Sequence, residues 1–226
     1  MMWILYSFLC AILPCLIYQI IVIKRKNLKC EKNVVIHLVW VYIFLLYIYL
    51  ALSKAGIGSI WDIGRYREII RFNEINLIPF SSVGALTYIL NIIMFMPLGF
   101  LLPLIWKEFR NIINVSITGL GFSLSIEFCQ LFNLRTTDID DLMMNTLGSI
   151  LGYLIWICVN KLFNLMKKNT ILAPICKNII QDEIAITIDD EINKKTTPLY
   201  KNEAIIYLIL TVLGEFLLFN WSLIYY

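Results

Sequence analysis

The chain has 226 residues, 60% of them hydrophobic and 15% charged, with a mean hydropathy of +0.77 and a net charge of +3. Soluble domains average about 45–50% apolar and about 25% charged residues, so this composition excludes a water-soluble globular domain and indicates an integral membrane protein. The small net charge leaves no electrostatic footprint for nucleic acid, and the length leaves no room for a large soluble appendage.

Six apolar segments, approximately 2–23, 33–53, 85–106, 111–134, 142–163 and 204–221, are long enough to cross a bilayer, whose hydrocarbon core takes roughly 20 helical residues. The predicted fold is therefore all-α, a polytopic transmembrane helical bundle of about six spans. The first segment reads as an uncleaved span rather than a signal peptide. It has no basic start, its first charge is Lys24, and it lacks a convincing small-x-small cleavage site. Lys and Arg counts in the connections orient the chain. Placing 24–32, 107–110 and 161–201 in the cytoplasm puts fourteen of the nineteen basic residues inside and leaves Lys54, Arg65, Arg67, Arg71 and Arg135 outside. Both termini are then predicted outside.

The lone histidine, His37, falls near the inner end of the second span. With no partner set in view it reads as packing rather than catalysis. In the outer connection that follows, 61–73 reads either as a short amphipathic helix on the membrane surface, with Ile63, Ile69, Ile70 and Phe72 downward, or as a solvated loop. Asn76-Leu-Ile-Pro-Phe80 reads as a re-entry element, because Pro79 pushes Ile78 extended and Ile78 and Phe80 suit the interface. The third span carries Asn91 and Phe95 one turn apart, a Pro97 that kinks a helix unless neighbours compensate, and Gly99, which admits a close neighbour.

The fourth and fifth spans are expected to form a hairpin. Ser116, Ser123, Glu127 and Gln130 share one helical stripe through spacings of seven, four and three. Asp141, Asn145, Gly148 and Gly152 form another, and Gly148-x3-Gly152 is a small-residue spacing that lets membrane helices pack closely. If the stripes face each other, Asn145 comes near Gln130 or Glu127 and Arg135 reaches back to the carboxylates. A carboxylate such as Glu127 deep in a span costs about 2.5–3.5 kcal/mol on insertion scales, so something must offset it. The polar connection 169–203 includes a strand-like alternation over 183–189. The sixth span carries Glu215 without an evident partner. The six cysteines show no CxxC or Cys/His metal spacing, and neither disulfides nor structural zinc is expected.

Four pieces occur in order: Asn76-Leu-Ile-Pro-Phe80, Asn91-Ile-Ile-Met-Phe95-Met-Pro97-Leu-Gly99, Ser125-Ile-Glu127-Phe-Cys-Gln130, and Arg135-Thr-Thr-Asp138-Ile-Asp-Asp141-Leu-Met-Met-Asn145-Thr-Leu-Gly148. This pattern resembles the VanZ-like family across roughly residues 40–160. The resemblance implies a multi-span bacterial membrane protein with its polar motifs grouped on the outer side, and an association with teicoplanin resistance. It does not specify a molecular activity. The chain divides accordingly into an N-terminal span with its basic loop (1–32), the VanZ-like core (33–163), and a cytoplasmic connection with the last span (164–226).

The candidate ligand-binding residues are Glu127, Gln130, Arg135, Asp138, Asp141, Asn145 and Asn91. Glu127 has two readings: a lock on Arg135 that fixes the hairpin, or a functional group that binds a cation or ligand amine or exchanges a proton. One or more of Asp138, Asp140 and Asp141 is expected to cap the fifth helix. Arg135 matches phosphate or carboxylate as a planar fork, while Arg65, Arg67 and Arg71 read as solvated or paired. No GxSxG, HExxH or Walker sequence occurs, and no catalytic residue, cofactor or metal is expected. The leading expectation is a multi-pass cell-membrane protein that binds or shields a lipid-linked or surface envelope component and so alters glycopeptide susceptibility. Membrane lipids are the expected partners, and an oligomer is compatible with the sequence. The rival is a membrane enzyme acting on an envelope lipid phosphate or glycan.

Overall fold

The computed structural model describes residues 2–26, 32–63, 75–80, 84–133, 137–168 and 202–220. Six α-helices account for most of these residues: α1 (Met2–Lys26), α2 (Lys32–Ala55), α3 (Ala85–Ile105), α4 (Ile112–Gln130), α5 (Ile139–Lys168) and α6 (Glu203–Leu218). The first five are long and apolar enough to cross a membrane. Helix α6 has 16 described residues, or about 24 Å at the helical rise, against the longer predicted 204–221.

Local chemistry sets the helix ends. Lys24, Arg25 and Lys26 occupy the last turn of α1, where cations complement the helix dipole. Gly56 ends α2 at φ 63°, the left-handed cap that glycine adopts without strain. Asn111 caps α4 by accepting from the Ile113 N–H. Asp140 and Asp141 open α5, so the acidic turn lies inside that helix rather than before it. Helix α3 runs unbroken through Pro97 and Pro103.

The helices alternate in direction, so the bundle has two ends. One, the acidic end, gathers the start of α1, the ends of α2, α4 and α6, and the starts of α3 and α5. There Ile75–Asn76 (β1) and Thr137–Asp138 (β2) form a short parallel pair, Ile75 against Thr137 and Asn76 against Asp138. The opposite, basic end holds Lys24 to Lys26 and Lys107.

Backbone contact between α3 and α5 forms the centre of the bundle. A Cβ on Gly152 would lie 1.9 Å from the Met96 carbonyl oxygen, and one on Gly148 would lie 2.3 Å from that of Ile92. The Gly148-x3-Gly152 face therefore seats α5 on α3, whereas the sequence reading turned it toward α4. Phe44, Phe95, Leu98, Leu102 and Trp106 fill the core beside this contact. Helices α1 and α6 form a second antiparallel pair on the flank. Gly214 lies close against the Cys10 carbonyl oxygen, and Tyr6 Oη donates to the Leu218 carbonyl oxygen. Large apolar side chains point outward all around, Leu86, Ile93, Leu162 and Ile209 among them, as a lipid-facing surface requires.

Candidate functional site

Helices α4 and α5 pack antiparallel, and their register decides which polar groups meet. Gly119 lies against the Ser149 hydroxyl, and Asn145 Nδ2 donates to Ser123 Oγ at 2.9 Å. Each step of four residues down one helix matches four up the other, so Glu127 arrives level with residues 138–141. Asn145 therefore pairs with Ser123, one turn away from Glu127. This corrects the expectation that it would meet Gln130 or Glu127. Gln130 instead reaches α2, its Nε2 donating to the Ala55 carbonyl oxygen at 2.8 Å.

At the acidic end the carboxylates clasp the segment 75–80 onto the start of α5. Asp138 caps the helix, its Oδ1 accepting from the Asp140 N–H at 3.0 Å, as the sequence suggested. Its Oδ2 accepts from Asn76 Nδ2 at 3.3 Å, and its own N–H donates to Glu127 Oε2 at 3.3 Å. Asp140 has no exposed surface. Its two oxygens share the Phe80 N–H at 2.9 and 3.0 Å, and Tyr88 Oη donates to Oδ2 at 2.8 Å. Phe80 sits at φ 60°, a left-handed conformation that costs a non-glycine residue about 1–3 kcal/mol. The Asp140 hydrogen bonds and the Tyr88 ring, edge-on at 6.0 Å, hold it there. Asp141 accepts from Asn91 Nδ2 at 2.5 Å. The positive end of the α5 dipole adds to these donors, so the acids are matched by amides, a hydroxyl and a helix start.

Of the predicted residues, the structure thus pairs Glu127 with Asp138 and Asn91 with Asp141 at the same end of the bundle and sets Asn145 and Gln130 beside them. Arg135 lies outside the described residues, as do Arg65, Arg67, Arg71, most of the expected 61–73 helix and the 183–189 alternation. Two acceptors in this region are buried without a donor, Gln130 Oε1 and Asn145 Oδ1. Glu127, itself 6% exposed, also borders a groove of about 670 Å³ that runs between α4 and α6.

Sequence reasoning passed over Asp140 as the most buried acid of this end, and Tyr88 entirely. Tyr88 was recoverable, since 88, 91 and 95 fall on one helical stripe. It also missed a second cluster at the basic end. His37 Nε2 lies 2.8 Å from Glu203 Oε2, Trp106 Nε1 donates to the same oxygen at 3.0 Å, and Tyr207 Oη donates to Oε1 at 3.1 Å. His37 therefore has a buried partner, contrary to its reading as a lone residue. Glu203 is fully buried as the first residue of α6. Glu215 likewise has a partner, accepting from Ser7 Oγ at 2.6 Å across the α1–α6 contact.

Comparison with known proteins adds the following. A family model described as VanZ/LLP1 matches residues 38–163. The chain is 33% identical over 101 residues to Protein VanZ of Enterococcus faecium, an alignment covering 44% of this chain and 62% of that protein. The chain thus spans less than two thirds of that relative's length. No solved structure matches.

Proposed function

The chain belongs to the VanZ/LLP1 family, and from that premise we propose that it is a multi-pass cell-membrane protein that binds an envelope component. The site is the acidic end, and binding there alters access of teicoplanin-type glycopeptides to their targets. The basic end faces the cytoplasm on this reading, which follows the excess of Lys and Arg in the connections there. The acidic end then opens on the outer leaflet, where lipid-linked and surface envelope components are found.

One observation carries the reading. Costly polar side chains converge at one depth of the α4–α5 hairpin, and two of their acceptors, Gln130 Oε1 and Asn145 Oδ1, are buried without a donor. A buried acceptor left unmade costs about 1–3 kcal/mol, a cost that a donor-bearing ligand would remove. Asp138, Asp140 and Asp141 each accept from neighbouring amides or hydroxyls, which suits holding a shape more than transferring protons. On this reading they position the site, and Glu127, Gln130, Asn145 and Arg135 meet the ligand.

The test is susceptibility of a sensitive bacterium expressing the protein. Glu127→Gln and Arg135→Ala abolish protection against teicoplanin while the protein stays in the membrane at wild-type abundance. Full protection by both variants overturns the reading.

A further inference from the structure

A smaller cleft lies at the basic end, between the end of α3, the turn that follows it and the second half of α5. Phe100, Leu104, Trp156, Val159 and Phe163 give it apolar and aromatic walls, and Arg110 is the charged residue of its described lining. Its volume of about 80 Å³ is well below the range of about 300–1,000 Å³ of sites that enclose a whole small molecule. An occupant therefore enters with one part and leaves the rest on the neighbouring surface. That surface is apolar and outward-facing, with Leu154, Val159 and Leu162 each between 43% and 60% exposed. Such a shape suits an amphiphile better than a water-soluble ligand.

Arg110 follows the end of α3, yet its side chain folds back along that helix. Its Nε donates to the Pro103 carbonyl oxygen at 3.4 Å. The guanidinium carbon lies 5.6 Å from the centre of the buried Trp156 ring, within cation–π range. The Arg110 carbonyl oxygen accepts from Tyr153 Oη at 3.0 Å, which fixes the backbone from which the side chain projects. An arginine at a membrane edge ordinarily extends its head toward water. Here these contacts hold it against the apolar cleft instead.

No carboxylate among the described residues pairs with Arg110. Its Nε spends a single donor, and the terminal nitrogens of the fork keep theirs. That planar fork matches a phosphate, which it grips through parallel N–H···O bonds. Exposed Lys107 and Lys161 add positive charge that outweighs Glu108. Basic pockets between membrane helices on the cytoplasmic side suit anionic lipid head groups. An amine-bearing head group brings its own cation to the phosphate and gains less from the arginine.

We propose that this cleft binds an anionic glycerophospholipid, its phosphodiester on the Arg110 guanidinium and one acyl chain along Trp156 and Val159. The site shares no residue with the acidic end, so the two readings stand or fall separately.

The test uses the full chain in phosphatidylcholine nanodiscs with a trace of phosphatidylglycerol or phosphatidylethanolamine. Each tracer carries a diazirine in the same acyl chain, and photolysis is followed by peptide mapping. Phosphatidylglycerol adducts on 154–163 should exceed those on Ile17, Ile20 and Ile21 of α1, which are similarly exposed and lie beside Lys24 and Arg25. A charge-assisted hydrogen bond corresponds to at least about tenfold in affinity. Arg110→Gln should therefore cut the excess by about that factor, and Arg110→Lys, a point charge without the fork, should restore it in part. Val159→Trp fills the cleft while leaving Arg110 in place; it should abolish the excess, and it serves should Arg110→Gln fail to fold. Equal labelling of α1 and α5 overturns the cleft, and an excess unchanged in Arg110→Gln overturns the phosphate contact. Phosphatidylethanolamine adducts as frequent as those of phosphatidylglycerol overturn the anionic preference. Displacement of the tracer by millimolar inorganic phosphate overturns the lipid as the source of the anion.

Discussion

The two ends of the bundle each bury an acid, and they do it differently. At the acidic end Asp140 is satisfied by the Phe80 backbone and Tyr88, while its neighbours Asp138 and Asp141 take Asn76 and Asn91. These partners meet at one junction: a helix start, the strand-like segment laid beside it, and the first turns of α3. At the basic end Glu203 draws on His37 of α2, Trp106 just past α3, and Tyr207 of its own helix. The first cluster closes a local junction, and the second fastens the flanking α1–α6 pair to the core. Buried acids in a membrane bundle thus serve two ends, shaping a surface and joining parts, and the arrangement of donors tells them apart.

Substitutions can break this comparison, the largest expected effect being at the join. Glu203→Ala strands three donors, each costing about 1–3 kcal/mol when buried without a partner. Glu203→Gln keeps one acceptor oxygen and should lose less. Thermal unfolding in detergent measures both, and a Glu203→Ala protein as stable as wild type would show that α6 is held without this cluster. Asp140→Ala removes the acceptor of the Phe80 N–H and of Tyr88 Oη, both nearer the surface and so less costly to lose, and it also releases Phe80 from its left-handed conformation. Its distinguishing mark is local: hydrogen exchange at the Phe80 amide should rise sharply while the His37 region stays protected. Equal loosening at both ends would mean that the clusters are one unit.

The smallest effects test the scaffold between the clusters. Gly152→Ala puts a methyl 1.9 Å from the Met96 carbonyl oxygen, an overpacking that costs about 1–3 kcal/mol and pushes α5 off α3. Gly121→Ala meets nothing within 4 Å and should gain up to about 1 kcal/mol of helix propensity. The opposite order of the two melting temperatures would contradict the close α3–α5 contact.

The sequence was most readable where one residue's neighbours along the chain decided its role. Length and hydropathy located the helices, though the helix runs beyond the apolar segment in α5, because hydropathy marks what contacts lipid and not where backbone bonding stops. Asp138 as a cap followed from its place before a helical run, and Asn91 and Asp141 were candidates from their stripes. Asn145 was assigned the wrong partner because its stripe fixes a direction on α5 but not the register against α4.

The amino-acid order alone determined that this is a membrane-crossing helical bundle with a costly polar girdle, since both follow from transfer free energies summed along short stretches. Only the tertiary structure decided that the glycine face meets α3, that His37 finds Glu203 across 166 positions, and that a groove lies beside Glu127. Those depend on the register and mutual rotation of distant helices, which are set by backbone contact and side-chain volume and not by the hydropathy of any one segment.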